Sequence, residues 1–218
     1  MEQVSANVCF AGQQLRYKHQ SSALDCTMHF SIYLPPQASA QHPLPVIYWL
    51  SGLTCTDENF VQKAGAQRYA AQHNVVIVAP DTSPRGDGVP DDPDGAWDFG
   101  LGAGFYVDAE KAPWQQHYNM YSYITQELPT LIEHGFPVSS QKSIMGHSMG
   151  GHGALTIALK NPHRYQSVSA FSPICAPSQC PWGQKALSAY LGEDQQLWQE
   201  YDACALVKQQ RSNLPLLV

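Results

Sequence analysis

The pattern of hydrophobic and polar positions in the first half of the chain alternates short apolar runs with helix-forming residues. Residues 46–50 and 75–79 are almost continuously apolar, which is typical of parallel strands covered on both faces. Residues 60–73 between them are rich in Ala and Gln and predict a helix, so the three segments form a β-α-β unit. Residues 28–34 are rich in β-forming side chains and stop at a Pro-Pro pair, which predicts an antiparallel strand that opens the sheet.

Residues 81–117 show no hydrophobic periodicity and predict a long loop, because Gly, Pro and Asp are frequent there. Long ordered loops in compact domains are commonly functional. Two interpretations of the loop's aromatic side chains stay open: they wall a pocket, or they pin the loop to the protein surface. These side chains are Trp97, Phe99, Phe105, Tyr106 and Trp114.

The second half of the chain continues the alternation of helices and strands. Residues 118–134 predict a helix with one apolar face, residues 139–145 a strand, and residues 151–160 a helix rich in Ala, Leu and Ile. We therefore expect residues 1–218 to form a single α/β domain, in which a mostly parallel central sheet is covered by helices on both faces.

The final residues, 213–218, read N-L-P-L-L-V and predict the beginning of another buried strand. A domain ending there would leave an apolar sheet edge uncovered. The sequence therefore predicts that the domain as given lacks its C-terminal part.

Composition and charge exclude several classes of function. A net charge of −6 without clustered Lys or Arg argues against a nucleic-acid partner, and no apolar run has the length of a membrane span. The six cysteines are scattered, and Cys175 and Cys180 lack a second ligand pair downstream, so we expect buried thiols rather than a metal site. Without an apolar leader at residues 1–10, a reducing cytoplasm is the expected location.

The motif that carries chemistry is G-H-S-M-G at residues 146–150. In a G-x-S-x-G elbow the serine occupies a strained turn between a strand and a helix, and here the motif falls between a predicted strand and a predicted helix. The alternative, a Gly-rich packing turn with an incidental serine, fits this context less well. We predict Ser148 as the nucleophile of an α/β-hydrolase fold, with the backbone N–H groups of Met149 and Leu53 as oxyanion donors.

The sequence does not provide an evident base or acid for Ser148. In this fold the Asp or Glu and the His follow the nucleophile on later loops. His152 and His163 come too soon after Ser148, so we expect them at the surface or at a helix end, and we expect His147 to have a packing role. Asp194 and Asp202 flank a polar helical stretch and are weak candidates for the acid. The triad Asp and His are therefore predicted to be absent from residues 1–218.

Several segments together are similar to one known family, that of S-formylglutathione hydrolase, also called esterase D. The similarity covers nearly the whole chain and is more specific than the elbow motif. It is carried by Y-W-L-S-G-L-T-C-T-D-E-N-F at 48–60, K-A-G-A-Q at 63–67, D-T-S-P-R-G at 81–86, G-A-G-F-Y at 102–106, G-H-S-M-G-G-H-G-A-L at 146–155 and P-W-G-Q-K-A at 181–186.

The resemblance implies a cytosolic, homodimeric enzyme without cofactor or metal, which hydrolyses S-formylglutathione to formate and glutathione in formaldehyde detoxification and also accepts small esters. It implies Ser148 as nucleophile, Leu53 and Met149 as oxyanion donors, Cys55 as a thiol close to the site, and Trp182 as part of the acyl pocket wall.

Lys63 and Arg85 are candidates for contact with the glutathione carboxylates, the alternative being solvated surface charges. Cys55 is interpreted as a bystander whose oxidation could block the pocket, rather than as a nucleophile.

Two other functions remain open at the level of sequence. An acyltransferase on the same fold would pass the acyl group to an alcohol instead of water. A non-catalytic protein would retain the elbow without a complete triad.

Overall fold

The computed structural model of the chain describes residues 1–209 and 212–218. The strands are β1 (Glu2–Cys9), β2 (Gly12–Ser21), β3 (Cys26–Leu34), β4 (Leu44–Leu50), β5 (Val76–Pro80), β6 (Val138–His147), β7 (Val168–Phe171) and β8 (Leu216–Leu217). The α-helices are α1 (Asp57–Lys63), α2 (Ala66–His73), α3 (Met120–Ser122), α4 (Leu128–Gly135), α5 (Met149–Lys160), α6 (Pro181–Leu191), α7 (Gln195–Gln199) and α8 (Ala203–Gln209). A π-helical turn (Tyr123–Glu127) joins α3 to α4, and short 3-10 helices span Trp114–Gln116 and Pro177–Gln179.

The strands form one sheet in the order β1-β2-β3-β5-β4-β6-β7-β8. Strands β5, β4, β6, β7 and β8 pair in parallel, whereas β1, β2 and β3 form an antiparallel extension that meets β5. The expected α/β architecture with a central parallel region is confirmed. The prediction that residues 28–34 open the sheet is wrong, because two additional strands of polar composition, β1 and β2, precede them at the sheet edge.

Helices cover the two faces of the sheet because alternate side chains of each strand point to opposite faces. On β4, Trp49 stacks against Phe60 of α1 with 3.9 Å between ring centroids. The neighbouring Tyr48 and Leu50 are buried in the larger core, which also contains the apolar side chains of α5. Helix α5, which follows Ser148, and helix α1 therefore lie on opposite sides of the same strand.

The helix predicted over residues 60–73 is divided into α1 and α2. Gly65 precedes α2 in a left-handed conformation with φ of 63°, which an uninterrupted helix does not allow. The first of the two helices also begins earlier than predicted, because Thr56 and Asn59 form a reciprocal capping box at its N-terminus.

The other predicted elements are confirmed with small shifts in their bounds. The helix expected over residues 118–134 corresponds to α3, the π-helical turn and α4. The predicted strand 139–145 lies within β6, and the predicted helix 151–160 begins two residues earlier, as α5. The strand expected within residues 213–218 is present as β8, but Leu216 and Leu217 are exposed because β8 lies at the sheet edge, beside β7.

The long loop contributes to the core, which neither interpretation of its aromatic side chains anticipated. Phe99, Phe105, Tyr106 and Trp114 are all buried and belong to the main hydrophobic core, whereas Trp97 is 68% exposed. This loop is therefore packed into the molecule beside α5 and α6 rather than laid over its surface.

Candidate active site

Ser148 occupies the turn between β6 and α5, as the motif predicts. Its φ of 57° and ψ of −118° lie in a region that non-glycine residues rarely adopt. The turn is fixed by two backbone hydrogen bonds: the Ser148 N–H donates to Phe171 O at 2.9 Å, and the His152 N–H donates to Ser148 O at 3.0 Å. The half-buried Ser148 is therefore held at the C-terminal end of a central strand and at the beginning of a helix.

Two glycines of the motif allow α5 to approach β4 closely. A Cβ atom added at Gly150 would lie 1.9 Å from Leu50 O, and one added at Gly146 would lie 2.2 Å from Gly150 O. Both contacts involve backbone atoms, so a side chain could not be accommodated by a change of rotamer. The strand-to-helix turn is thus pressed directly against the end of β4.

The loop that follows β4, residues 51–55 and hereafter the oxyanion loop, lies next to Ser148, the predicted nucleophile. A Cβ atom at Gly52 would be 3.1 Å from Ser148 Cβ. The half-buried Leu53 follows Gly52 directly, and within residues 1–209 and 212–218 its N–H donates no hydrogen bond. Met149 is the first residue of α5, and the N–H groups of a first helical turn have no intrahelical acceptor. The structure therefore brings the two predicted oxyanion segments together at Ser148.

A cleft of about 440 Å³ opens beside the nucleophile turn. Its wall contains the Trp49 and Phe60 stack and residues of the oxyanion loop. The lining residues are Trp49, Ser51, Gly52, Cys55, Asn59, Phe60, Lys63, Ala64, His147 and Phe171. His147 is exposed on this wall, and its Nδ1 would lie 3.6 Å from a Cβ atom added at Gly52, so its packing role stays a prediction.

Cys55 lies in the cleft wall, close to where the resemblance places it. Burial raises the pKa of its thiol, a change that disfavours the reactive thiolate. Its backbone oxygen accepts hydrogen bonds from the Thr82 hydroxyl at 2.5 Å and the Arg85 guanidinium at 3.1 Å. The residue is therefore anchored through its backbone while its side chain faces the cleft.

Trp182 lies on α6, outside the group of residues that line this cleft. Its ring is half-buried with its centroid 6.0 Å from that of Phe105. The Phe105 ring in turn packs against the His152 ring, with 6.1 Å between the two ring centroids. Trp182 thus reaches the nucleophile helix through Phe105, and its place in an acyl pocket stays a prediction.

The two basic side chains considered for substrate binding have different environments. Arg85 forms a paired contact with Asp81, with distances of 3.1 and 3.0 Å from Nε to the two carboxylate oxygens. Its Nε is thus committed to Asp81 and its Nη2 donates to Cys55 O, while the side chain is 33% exposed, so a contact with a substrate carboxylate stays a prediction. Lys63 is exposed on the cleft wall.

His152 lies near the N-terminal end of α5, one of the two positions expected for it, but its side chain is buried rather than at the surface. It lies at the first turn of α5 against the long loop, and its Nε2 is 2.9 Å from Phe105 O. Burial lowers the pKa of this imidazole to about 4. The ring is therefore neutral at pH 7 and donates from Nε2 to the carbonyl oxygen.

The remaining candidates for triad members do not contact Ser148. His163 is exposed, as predicted. Asp194 caps α7 by accepting from the Gln196 N–H at 2.9 Å. Asp202 is buried and accepts from the Ser178 hydroxyl and the Ala205 N–H. Among the described residues, no hydrogen bond joins Ser148 Oγ to a histidine or carboxylate.

The described part of the chain contains no group of three or more His, Cys, Asp or Glu side chains that could hold a metal ion. Across the same residues, no helix has both the length and the apolar character needed to cross a membrane.

Comparison with known proteins shows which family this chain belongs to. The Esterase family model matches residues 21–217. S-formylglutathione hydrolases of Rattus norvegicus and Mus musculus are 57% and 56% identical to the chain over 209 residues, which make up 95% of this chain and 73% of each relative. The structure of an S-formylglutathione hydrolase from Agrobacterium tumefaciens superposes with a TM-score of 0.95 at 51% identity, covering 99% of this chain and 77% of that one.

Proposed function

This chain belongs to the S-formylglutathione hydrolase family, and on that premise we propose that it acts as a serine hydrolase that cleaves S-formylglutathione to formate and glutathione. The observation that carries this proposal is the placement of Ser148, in a strained turn at the N-terminus of α5 and next to the oxyanion loop. Small acyl esters are proposed as further substrates because they require the same acyl transfer.

In the proposed reaction Ser148 Oγ adds to the formyl carbonyl carbon while a general base takes its proton. The N–H groups of Leu53 and Met149 stabilise the resulting oxyanion. Collapse breaks the C–S bond, and the glutathione sulfur leaves and takes up the proton. Water then adds to the formyl-enzyme, formate leaves, and the Ser148 hydroxyl regains its proton.

We propose that neither the base nor the orienting acid is supplied by residues 1–218. His152 is committed to the Phe105 carbonyl, and Asp202 to a helix terminus and a serine hydroxyl. Both side chains are buried in structural contacts, and among the described residues neither is hydrogen-bonded to Ser148 Oγ. A non-catalytic member of the family is therefore the second candidate function for these residues.

The cleft is the proposed approach for the substrate. We propose that Lys63 on its wall attracts a glutathione carboxylate and that the Cys55 thiol lies beside the leaving group. We also propose that Trp182 narrows the acyl site. A pocket bounded by bulky side chains favours formyl and acetyl groups because a longer acyl chain is excluded sterically.

The setting of the protein is also a proposal. We propose that residues 1–218 fold as a single domain, that the protein is a homodimer and that it is cytoplasmic. The continuous sheet and core support the first statement. The other two rest on the family resemblance and on six scattered cysteines without a disulfide framework.

The direct test is release of formate and free thiol from S-formylglutathione by the protein and by its Ser148→Ala variant. Labelling with a small fluorophosphonate, followed by peptide mapping, locates the nucleophile independently. Hydrolysis and labelling that both disappear in Ser148→Ala support the proposed function. Absence of both in the unaltered protein supports the non-catalytic candidate.

The role of Lys63 is tested by Lys63→Met, with Lys185→Met as the control, because Lys185 lies on α6 and does not line the cleft. An exposed charge contributes about 0.2–1 kcal/mol, so Lys63→Met should raise the KM for S-formylglutathione about two- to fivefold at low salt. The effect should shrink as ionic strength rises. Equal KM values for the two variants would contradict this role.

A further inference from the structure

We propose that Tyr106 is a positioning residue, which holds the oxyanion loop in place against Ser148. This inference rests on the proposed function, because it assigns the loop to the stabilisation of an oxyanion. Tyr106 is not expected to touch the substrate: its side chain is completely buried beneath the loop.

The first support is a pair of hydrogen bonds on either side of Leu53. The Tyr106 hydroxyl donates to Ser51 O at 2.9 Å, and the Thr54 N–H donates to Gly102 O at 2.9 Å. Both partners lie in the short segment 102–106 of the long loop. The residue that carries the proposed oxyanion donor is therefore fixed from both sides by the same segment.

The second support is the contact between Tyr106 and the nucleophile helix. A Cβ atom added at Gly153 of α5 would lie 2.5 Å from the Tyr106 ring, so the ring rests on the helix where a side chain is missing. His152, the preceding residue of α5, holds the carbonyl of Phe105. The Tyr106 side chain thus spans the distance from helix α5 to the oxyanion loop.

The backbone at this point is held in an unfavourable conformation. Phe105 and Tyr106 have φ values of 50° and 53°, two consecutive bulky residues in the left-handed region. This conformation is unfavourable for residues other than glycine and persists where the surroundings over-determine it. This conformation directs the Tyr106 hydroxyl toward Ser51 O. Burial raises the pKa of the Tyr106 hydroxyl, so the group stays protonated and remains a donor.

The decisive variant is Tyr106→Phe, which removes the hydroxyl and keeps the ring on Gly153. The matched control is Tyr118→Phe, because Tyr118 is also fully buried and its hydroxyl also donates to a loop carbonyl, Pro90 O at 2.7 Å. Both variants should lower the Tm by a similar few degrees, about 2–4 °C. A purely structural role would predict no other difference between them.

Phosphonylation of Ser148 by a fluorophosphonate measures the site itself, since the phosphonyl oxygen occupies the oxyanion hole. Loss of one oxyanion donor costs about 10²–10³-fold in rate, and a displaced donor costs part of that. Tyr106→Phe should lower the maximal labelling rate about tenfold without changing the reagent's binding constant, while Tyr118→Phe labels like the unaltered protein. Equal labelling rates for both variants would overturn the proposal.

Hydrogen exchange of peptides containing residues 51–55 gives a second readout that does not depend on catalysis. Tyr106→Phe should accelerate exchange of the Thr54 amide, whereas Tyr118→Phe should leave it unchanged. Unchanged exchange in Tyr106→Phe refutes the positioning role even if Ser148 reacts. If the unaltered protein is not labelled at all, the proposed function fails, and exchange alone decides whether Tyr106 holds the loop.

Discussion

Gly150 lies in the first turn of α5 with no room for a methyl group. A Cβ atom there would be 1.9 Å from Leu50 O, 2.4 Å from Leu50 C and 2.6 Å from Ser51 O. All three are backbone atoms of β4 and the oxyanion loop. In Gly150→Ala the helix and the strand end must therefore move apart, from 1.9 Å toward the 3.4 Å of an ordinary contact.

The cost of this movement can be set against the gain in helix propensity. Overpacking a tight interior costs about 1–3 kcal/mol, and the upper part of this range applies because no side chain can yield. Ala exceeds Gly in helix propensity by about 1 kcal/mol, which offsets part of it. We expect Gly150→Ala to lower the free energy of unfolding by about 2 kcal/mol and to displace the Met149 N–H from the oxyanion loop.

Gly135→Ala is the matched control because Gly135 also lies in a helix. Its added Cβ would meet the terminal methyl group of Met1, at 2.7 Å, and that flexible side chain can move away. Urea unfolding and fluorophosphonate labelling are measured on both variants. Gly135→Ala should be at least as stable as the unaltered protein and label equally, whereas Gly150→Ala should lose both stability and labelling. Equal unfolding midpoints would refute the steric argument.

Three further predictions use the same measurements. Ser148→Gly should be more stable than Ser148→Ala by about 1 kcal/mol in urea unfolding, since glycine tolerates the strained φ of 57°. Equal stabilities of the two variants would show that the turn is unstrained. The neutral His152 contributes stability that is complete above a pH of about 6.5 and is lost as pH falls toward its folded pKa of about 4. Its contribution should lower the unfolding free energy by up to about 1.4 kcal/mol per pH unit in this window. His152→Gln should therefore make the pH dependence of stability shallower, while the contribution of His19, whose pKa burial also lowers, remains. Arg85→Met leaves the buried Asp81 carboxylate without its ion-pair partner and should lower the free energy of unfolding by about 3 kcal/mol. Lys185→Met breaks a surface ion pair and should lower it by less than about 1 kcal/mol. Similar urea midpoints for the two variants would contradict the importance of burial.

The central part of the fold and the strand-to-helix turn at Ser148 were predictable because each has a local signal. Apolar runs without alternation indicate strands covered on both faces, and they locate β4 and β5. The two glycines around Ser148 indicate a turn without side-chain bulk, and the structure confirms the turn. Strands β1 and β2 were missed because both carry mostly polar residues, and β1 is also an exposed edge strand. The alternation of Leu15, Tyr17 and His19 is the signal that could have located β2.

The surroundings of the nucleophile depend on contacts that a linear pattern does not contain. His152 follows the elbow by one turn, and only the packing of the long loop against α5 shows that its ring is buried. Tyr106 lies in a segment without periodicity, and its hydrogen bond to Ser51 O joins residues far apart in the chain. Gly52 could have been recognised as part of the site from its place in the loop directly after β4, two residues beyond Leu50.

The neighbouring positions of β4 and β6 have a consequence for how the protein folds. Leu50 pairs with Gly146, so the oxyanion loop and the nucleophile emerge side by side, yet residues 51–137 separate the two strands in the chain. Closing so long a connection has an entropic cost that must be met before the pairing contributes any stability, and such non-local parallel pairing is slow to form. We therefore expect a refolding chain to regain helical signal before Ser148 becomes reactive, so that labelling during refolding reports the closing of the central sheet.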